Sequence, residues 1–240
     1  MSSHSHSLQL FLPQITLMEV LMENSYHKEI FDRIPQERRH RIIDVAVHEF
    51  AHKGFDNANI NEIAAAAGIS VGSLYKYFNT KEDLFLTCVH FGVETLEAVL
   101  DEVLASPGDL FAKAERIVRI IQEHSRKHRN LIILYNEMTS ESNAELTWKL
   151  AAKMEALSAG VYTSLIRQAQ EDKKVKQDIL PGLFAFFLDN LFMMLQFSYS
   201  CSYYRERFKI YAGEDILEHD ELVVEQFMKF FRAALEEAAS

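Results

Sequence analysis

The stretch from Asn59 to Lys81 reads NINEIAAAAGISVGSLYKYFNTK. Asn59 has the short side-chain oxygen that caps a helix, and Glu62, three residues on, completes the pattern of a capping box. Ile60, Ile63, Ala64 and Ala67 fall on one helical stripe, and the alanines let a neighbouring helix come close. Gly68 supplies the positive φ of a tight turn, Ile69 plugs the core, and Ser70 caps a second short helix. In that helix Leu74 and Phe78 stand four apart and face inward. Val71, Gly72, Ser73, Tyr75, Lys76 and Tyr77 are left for the outside or the flanks.

Two short helices across a glycine turn, the second presenting small, hydroxyl-bearing and basic side chains, have the form of a DNA-reading helix-turn-helix. A reading helix must enter a major groove about 12 Å wide, which favours small residues at its tip. Val71, Gly72 and Ser73 are small. Ser70, Ser73, Tyr75, Tyr77 and Thr80 can donate to phosphates, while Lys76 and Lys81 add charge. An ordinary helical hairpin with a polar outer face explains Tyr75 and Tyr77 less well, because its core needs only Leu74 and Phe78.

Upstream, Ile42, Ile43, Ala46, Val47, Phe50 and Ala51 repeat at helical spacing and predict a helix over about 36–53, ended by Gly54 as a left-handed cap. This helix also carries His48-Glu49-Phe50-Ala51-His52, a literal H-E-x-x-H. On one helix face the two histidines are suited to hold zinc with Glu49 as base. The extended form of that motif wants glycine at 55 and histidine at 58, where this chain has Phe55 and Ala58. Phe50 and Ala51 are needed for the buried face, which turns both histidines toward solvent. A zinc metallopeptidase therefore stands as the alternative reading, and no metal or cofactor is expected.

Downstream, Thr80 with Asp83 caps a helix running to about residue 104. Ser106-Pro107-Gly108-Asp109 breaks it. Further helices are expected over about 109–128, 130–138, 144–169, 178–208 and 219–238, and no strand alternation is present. The fold class is therefore all-α. Eight Gly and four Pro among 240 residues leave little material for long loops. The apolar stretch 179–204 contains Asp189, Asn190 and Gln196. A charged residue near a bilayer centre costs about 2.5–3.5 kcal/mol on insertion scales, so a helix buried between a core and a partner subunit explains it more simply than a membrane span.

Net charge is −10, which argues against coating of nucleic acid by the whole surface. From Arg33 to Lys81, seven basic residues face five acidic ones, so this stretch is +2 and the remainder −12. A mildly basic module on an acidic body suits a protein that grips DNA at one end. Cys88 and Cys201 sit in apolar helical patterns, as buried thiols of a reducing cytoplasm do, with a redox sensor as the other reading. Residues 1–34 read as an extension, partly disordered, with no basic start of a secretory signal. Met18 or Met22 is an alternative start. The expected divisions are 1–34, a DNA-binding domain over 35–82, and an effector-binding and dimerisation domain over 83–240.

Residues 39–85 closely resemble the DNA-binding domain of TetR-family transcriptional regulators. The marks are A-x-x-x-F-A-x-x-G-F from Ala46 to Phe55, I-A-x-x-A-G-I-S from Ile63 to Ser70, and G-S-L-Y-x-Y-F-x-x-K-E-x-L from Gly72 to Leu84. The resemblance implies that Ser70, Val71, Ser73 and Lys76 face the groove and that Asn59, Tyr75, Tyr77 and Lys81 lie near phosphates. Val71 departs from the lysine or arginine often found there, which favours contact with a thymine methyl over guanine reading. The resemblance also implies a cytoplasmic homodimer on an inverted-repeat operator, formed by the last two long helices, with Phe197, Phe227, Phe230 and Phe231 as interface candidates.

A small-molecule effector in the 83–240 region is expected to control operator binding, most often in a repressor. Trp148, Met154, Phe184, Phe187, Met193 and Met194 offer adaptable apolar surface, and Tyr135, Glu137, Asp189 and Asn190 can orient a ligand. An apolar or amphipathic effector follows, with a cationic one paired to Glu137 or Asp189 as the variant. A dimeric DNA-binding protein without an effector is the remaining alternative.

Overall fold

The computed structural model describes the backbone of residues 26–138 and 144–236, and the side chains of all of these except 144–151. The N-terminal residues up to 25, with Met18 and Met22, and the side chain of Trp148 lie outside the described residues. Among the described residues eleven α-helices follow one another: α1 (Glu29–Asp32), α2 (Gln36–Asn57), α3 (Ile60–Ala67), α4 (Val71–Tyr77), α5 (Lys81–Ala105), α6 (Leu110–Lys127), α7 (Arg129–Met138), α8 (Ala144–Glu171), α9 (Pro181–Ser200), α10 (Ser202–Ala212) and α11 (Asp220–Leu235). A single 3-10 turn, Ile216–Glu218, precedes α11, and no strand occurs among the described residues.

The helix boundaries follow local chemistry. At Gly54 the backbone turns to φ 70°, ψ 170°, and one further turn carries α2 on to Asn57. Gly68 takes the left-handed conformation at φ 71°, ψ 33° and closes α3. Both conformations strain any residue with a Cβ. Ser70 accepts from Ser73 N–H at 3.1 Å to start α4. Thr80 and Asp83 form the reciprocal capping box of α5.

The expected box at Asn59 is built differently. Asn59 Oδ1 accepts from Asn61 N–H at 2.9 Å, but its own N–H donates to Glu49 Oε1 at 3.0 Å. Glu62 pairs with Lys53 instead.

Two apolar cores result. The first gathers α2, α3 and α4 around Ile42, Phe50, Ile63, Leu74 and Phe78, and draws in Leu84, Phe85, Cys88 and Val89 of α5 and Leu134 and Met138 of α7. The second lies among α5, α6, α8, α9 and α11, around Val118, Ile166, Phe192, Phe231 and Leu235. Packing of the first core therefore crosses the expected divisions at 34/35 and 82/83.

Residues 26–34 pack onto the first core. Phe31 of α1 is buried and its ring meets Tyr77 at 5.6 Å and Phe78 at 4.9 Å.

The single helix expected over 178–208 is two. Cys201 is extended at φ −92°, ψ 135°, between α9 and α10. No glycine or proline marks this break, and long-range bonds replace the helical ones. Arg129 Nε donates to Ser200 O at 2.7 Å, Arg205 to Tyr199 O at 2.8 Å, and Ser200 Oγ to Ser125 O at 3.2 Å. Carbonyls that would be orphaned at a helix end thus find partners. Helix α9 is long and apolar enough to cross a membrane, yet it packs against α6, α7, α8 and α10.

Candidate nucleic-acid interface and effector cavity

Helix α4 stands at the surface of the first core. Leu74 is buried, while Ser70, Gly72, Tyr75 and Lys76 are exposed and Val71 and Ser73 partly so. Tyr75 is 46% exposed. The exposed sides of α4 carry Ser70, Ser73, Tyr75 and Lys76, while Val71 packs in part against the first core. The burial of Leu74 and Phe78 on the opposite side fixes which residues these are.

Tyr77 is a correction. It is 6% exposed, held between Phe31 and Phe78, and does not share the outer face. The segment ahead of α2 accounts for this. Lys28 N–H donates to Tyr77 O at 2.8 Å and Lys28 Nζ to Tyr75 O at 2.9 Å, so residues 28–31 bind the end of α4. Sequence periodicity gave no hint of this brace.

Lys81 is committed within the chain. Its Nζ donates to Asp56 O at 3.0 Å and lies over the Phe55 ring at 4.8 Å. Asn59, as the cap of α3, is exposed at the same edge.

The H-E-x-x-H residues separate by role. His48 and His52 are exposed, and His52 Nε2 lies 3.2 Å from Asn130 Oδ1 of α7. Glu49 is buried, accepts from Asn59 N–H and pairs with Lys53 Nζ at 2.9 Å. These bonds hold its carboxyl below the ordinary range against the opposing effect of burial. Glu49 thus joins α2 to the start of α3. No group of three metal-ligating side chains occurs among the described residues.

In the body, a cavity of about 160 Å³ lies among α5, α6, α7, α8 and α9. Its wall is mostly apolar, from residues such as Leu96, Ile120, Leu131 and Phe192. One polar group is drawn from three helices: Tyr135 of α7, Glu155 and Tyr162 of α8, and Asp189 of α9. Tyr135 OH donates to Glu155 Oε1 at 3.0 Å. Burial, then the charge of Glu155, pushes the Asp189 carboxyl up to about 6. Burial likewise raises the phenols of Tyr135 and Tyr162 well above their ordinary value. Cys88 lines the same cavity; burial raises its thiol far above the ordinary value and that of Cys201 to about 11, so neither is a ready thiolate.

Tyr135, Met154, Asp189 and Met193 of the sequence candidates line this cavity. Several others do not. Glu137 borders a separate shallow depression beside His52 and Asp56. Phe187 is 50% exposed on the outside of α9. Asn190 Nδ2 donates back to Phe186 O at 2.7 Å within its own helix. Met194, one residue beyond Met193, is turned off the cavity wall by helical phase.

The interface candidates also divide. Phe197 is buried within the protomer between Tyr135 and Tyr204. Phe231 is buried against Phe111, and Phe227 stacks on Phe192 at 5.5 Å. Only Phe230 of the four is exposed, at 60%. The exposed apolar residues of α9 that the sequence reading did not single out for an interface are Leu183, Phe186 and Phe187.

A helix-turn-helix head on a separate helical body with an internal apolar cavity defines a ligand-responsive type of DNA-binding regulator. The family described as bacterial regulatory proteins, tetR family, matches residues 42–88. The chain is 27% identical over 164 residues to the transcriptional activator FasR of Mycolicibacterium smegmatis, spanning 66% of this chain and 73% of that one. It is 24% identical over 142 residues to the transcriptional repressor KstR2 of Rhodococcus jostii, spanning 59% and 70%. Its fold is that of the Bacillus subtilis regulator FadR solved in complex with stearoyl-CoA, with TM-score 0.59 at 18% identity over 78% of this chain and 95% of that one. Residues 42–88 thus form a TetR-type DNA-binding head, and the chain is a DNA-binding transcriptional regulator.

Proposed function

We propose that the chain acts as a homodimeric, cytoplasmic regulator, most simply a repressor, that reads an inverted-repeat operator and loses or gains that grip when an effector fills the cavity. The DNA-reading head spans residues 35–82, braced by 26–34, and the effector and dimer body spans 83–240. The observation that carries the reading is a shared wall. Cys88, Val89, Leu134 and Met138 belong to the core under the helix-turn-helix and also line the cavity. A ligand that displaces α7 or the start of α5 therefore disturbs the seat of the head directly.

Ser70, Val71, Ser73 and Lys76 are placed toward the bases, with Asn59 and Tyr75 toward phosphates. Two copies of α4 must lie about 34–36 Å apart to meet successive major grooves. An effector controls that spacing only through its unequal affinity for two arrangements of the body. The dimer is assigned to α9 and α11, joined inside each protomer by the Phe192–Phe227 stack. Leu183, Phe186 and Phe187 stand on one face of α9, and Leu222 and Phe230 on one face of α11, all exposed.

The test uses duplexes recovered from random DNA by the purified protein. Binding is expected to fall steeply with salt, and Tyr75→Ala or Lys76→Ala to weaken it by about tenfold or more with an unchanged melting temperature. Salt-independent binding, or full affinity in both variants, would overturn the assignment of α4.

A further inference from the structure

The cavity wall is one-sided in charge. Asp189 and Glu155 line it, and its basic members among the described residues are two histidines, His124 and His128, with no lysine or arginine. Burial and the neighbouring His124 and Lys127 lower His128 below the ordinary histidine value, which favours its neutral form. Of the phenols at the acidic end, Tyr135 OH donates to Glu155, and the Tyr162 oxygen accepts from Ser158 while Asp189 acts on it through charge alone. Burial and the like charge of Glu155 are what act on Asp189, and no hydrogen bond reaches its carboxylate from the described residues.

An enclosed carboxylate without donor or counter-charge is unfavourable until something supplies one. A fatty acid would add a third anion, and a thioester carbonyl would add only another acceptor. Volume narrows the choice further, because about 160 Å³ is close to a cavity of about 150 Å³ that binds a single benzene ring.

We infer that the effector is a small apolar amine, its ammonium seated against Asp189 and Glu155 and its hydrocarbon part against Leu96, Ile120 and Phe192. This inference rests on the effector reading above and names the chemical class of that effector. The rings of Tyr135 and Tyr162, close enough for Asp189 to act on both phenols, add aromatic faces for the cation.

Three probes of equal chain length separate the possibilities: octylamine, octanol and octanoate, titrated calorimetrically into the full chain at neutral pH. Octylamine is expected to bind at least tenfold more tightly than either of the others. Asp189→Asn is expected to abolish that preference while octanol binds as before, which shows the cavity intact. Equal binding of octylamine and octanol, or a preference that survives Asp189→Asn, overturns the amine assignment and leaves the effector reading standing. Binding of none of the three removes both.

Discussion

The head and the body of this chain handle their interiors in opposite ways. In the head, Phe50, Phe55 and Phe85 meet ring to ring at 5.1–6.3 Å, and Ile42, Ile63 and Leu84 are wholly buried. Its polar groups are spent on caps: Glu49 on Asn59 N–H, Ser70 on Ser73 N–H, and Thr80 with Asp83. In the body, the interior keeps open space and leaves a carboxylate at its edge without a donor from the described residues. A groove reader has to hold one shape, so every local preference agrees with the fold. A ligand sensor has to be improved by its ligand, so part of its interior is left unsatisfied.

The sharpest way to break this comparison is to empty the head's core. Phe50 is 0% exposed and touches two other rings. Phe50→Ala is expected to destabilise the protein by about 3–5 kcal/mol, the range for large aromatic truncations in packed cores. Denaturant unfolding measures it. A loss under about 1 kcal/mol would mean the head is no more tightly built than the body.

The body should respond in the other direction. The Asp189 carboxyl is raised from 3.8 to about 6, so the folded state holds this proton more tightly than the unfolded chain. Below about pH 4 both states are protonated and the residue is without effect on this balance. As pH climbs toward about 6 the unfolded chain releases its proton first and stability falls, and above that the full penalty remains. Asp189→Asn removes it. The variant is expected to be about 1–3 kcal/mol more stable near pH 7.5, with the gain gone at about pH 4. The titratable groups that face Asp189 are Tyr135, Glu155 and Tyr162, with His124 and His128 elsewhere on the wall. Equal melting temperatures at both pH values would show that Asp189 is not strained in the folded protein.

What the sequence revealed follows the same division. Gly68, Ser70, and Thr80 with Asp83 act within four residues of themselves, so their roles can be read from spacing alone. The partner of Asn59 N–H lies ten residues back at Glu49, and spacing pointed to Glu62 instead. Elimination leaves Tyr77 for the outside or a flank, but Phe31 arrives from a segment with no periodicity to announce it. The break at Cys201 depends on Arg129, 71 residues from Ser200, and no local breaker marks it. Of the residues composition singled out, Tyr135, Met154, Asp189 and Met193 line the cavity. Whether α9 turns Met193 or Met194 inward is a matter of phase, and an almost uniformly apolar helix does not declare its phase.

The smallest expected effects lie inside the H-E-x-x-H segment, and their order is what matters. If these residues held zinc, the histidines would be its ligands and Glu49 only the base, so losing a histidine would cost more stability than losing the glutamate. The head gives them unequal work. Glu49→Ala leaves the partly buried Asn59 N–H at the start of α3 without its acceptor and frees Lys53 from one partner. An unmade buried hydrogen bond costs about 1–3 kcal/mol. His48 is exposed and its neighbour His52 bonds outward to Asn130, so His48→Ala is expected to change stability by less than about 0.5 kcal/mol. Unfolding measured in parallel on the two variants, with and without a chelator, decides between the roles. A loss in His48→Ala larger than in Glu49→Ala, reproduced by a chelator in the unsubstituted protein, would restore a metal to this helix and remove Glu49 from its place as the tie between α2 and α3.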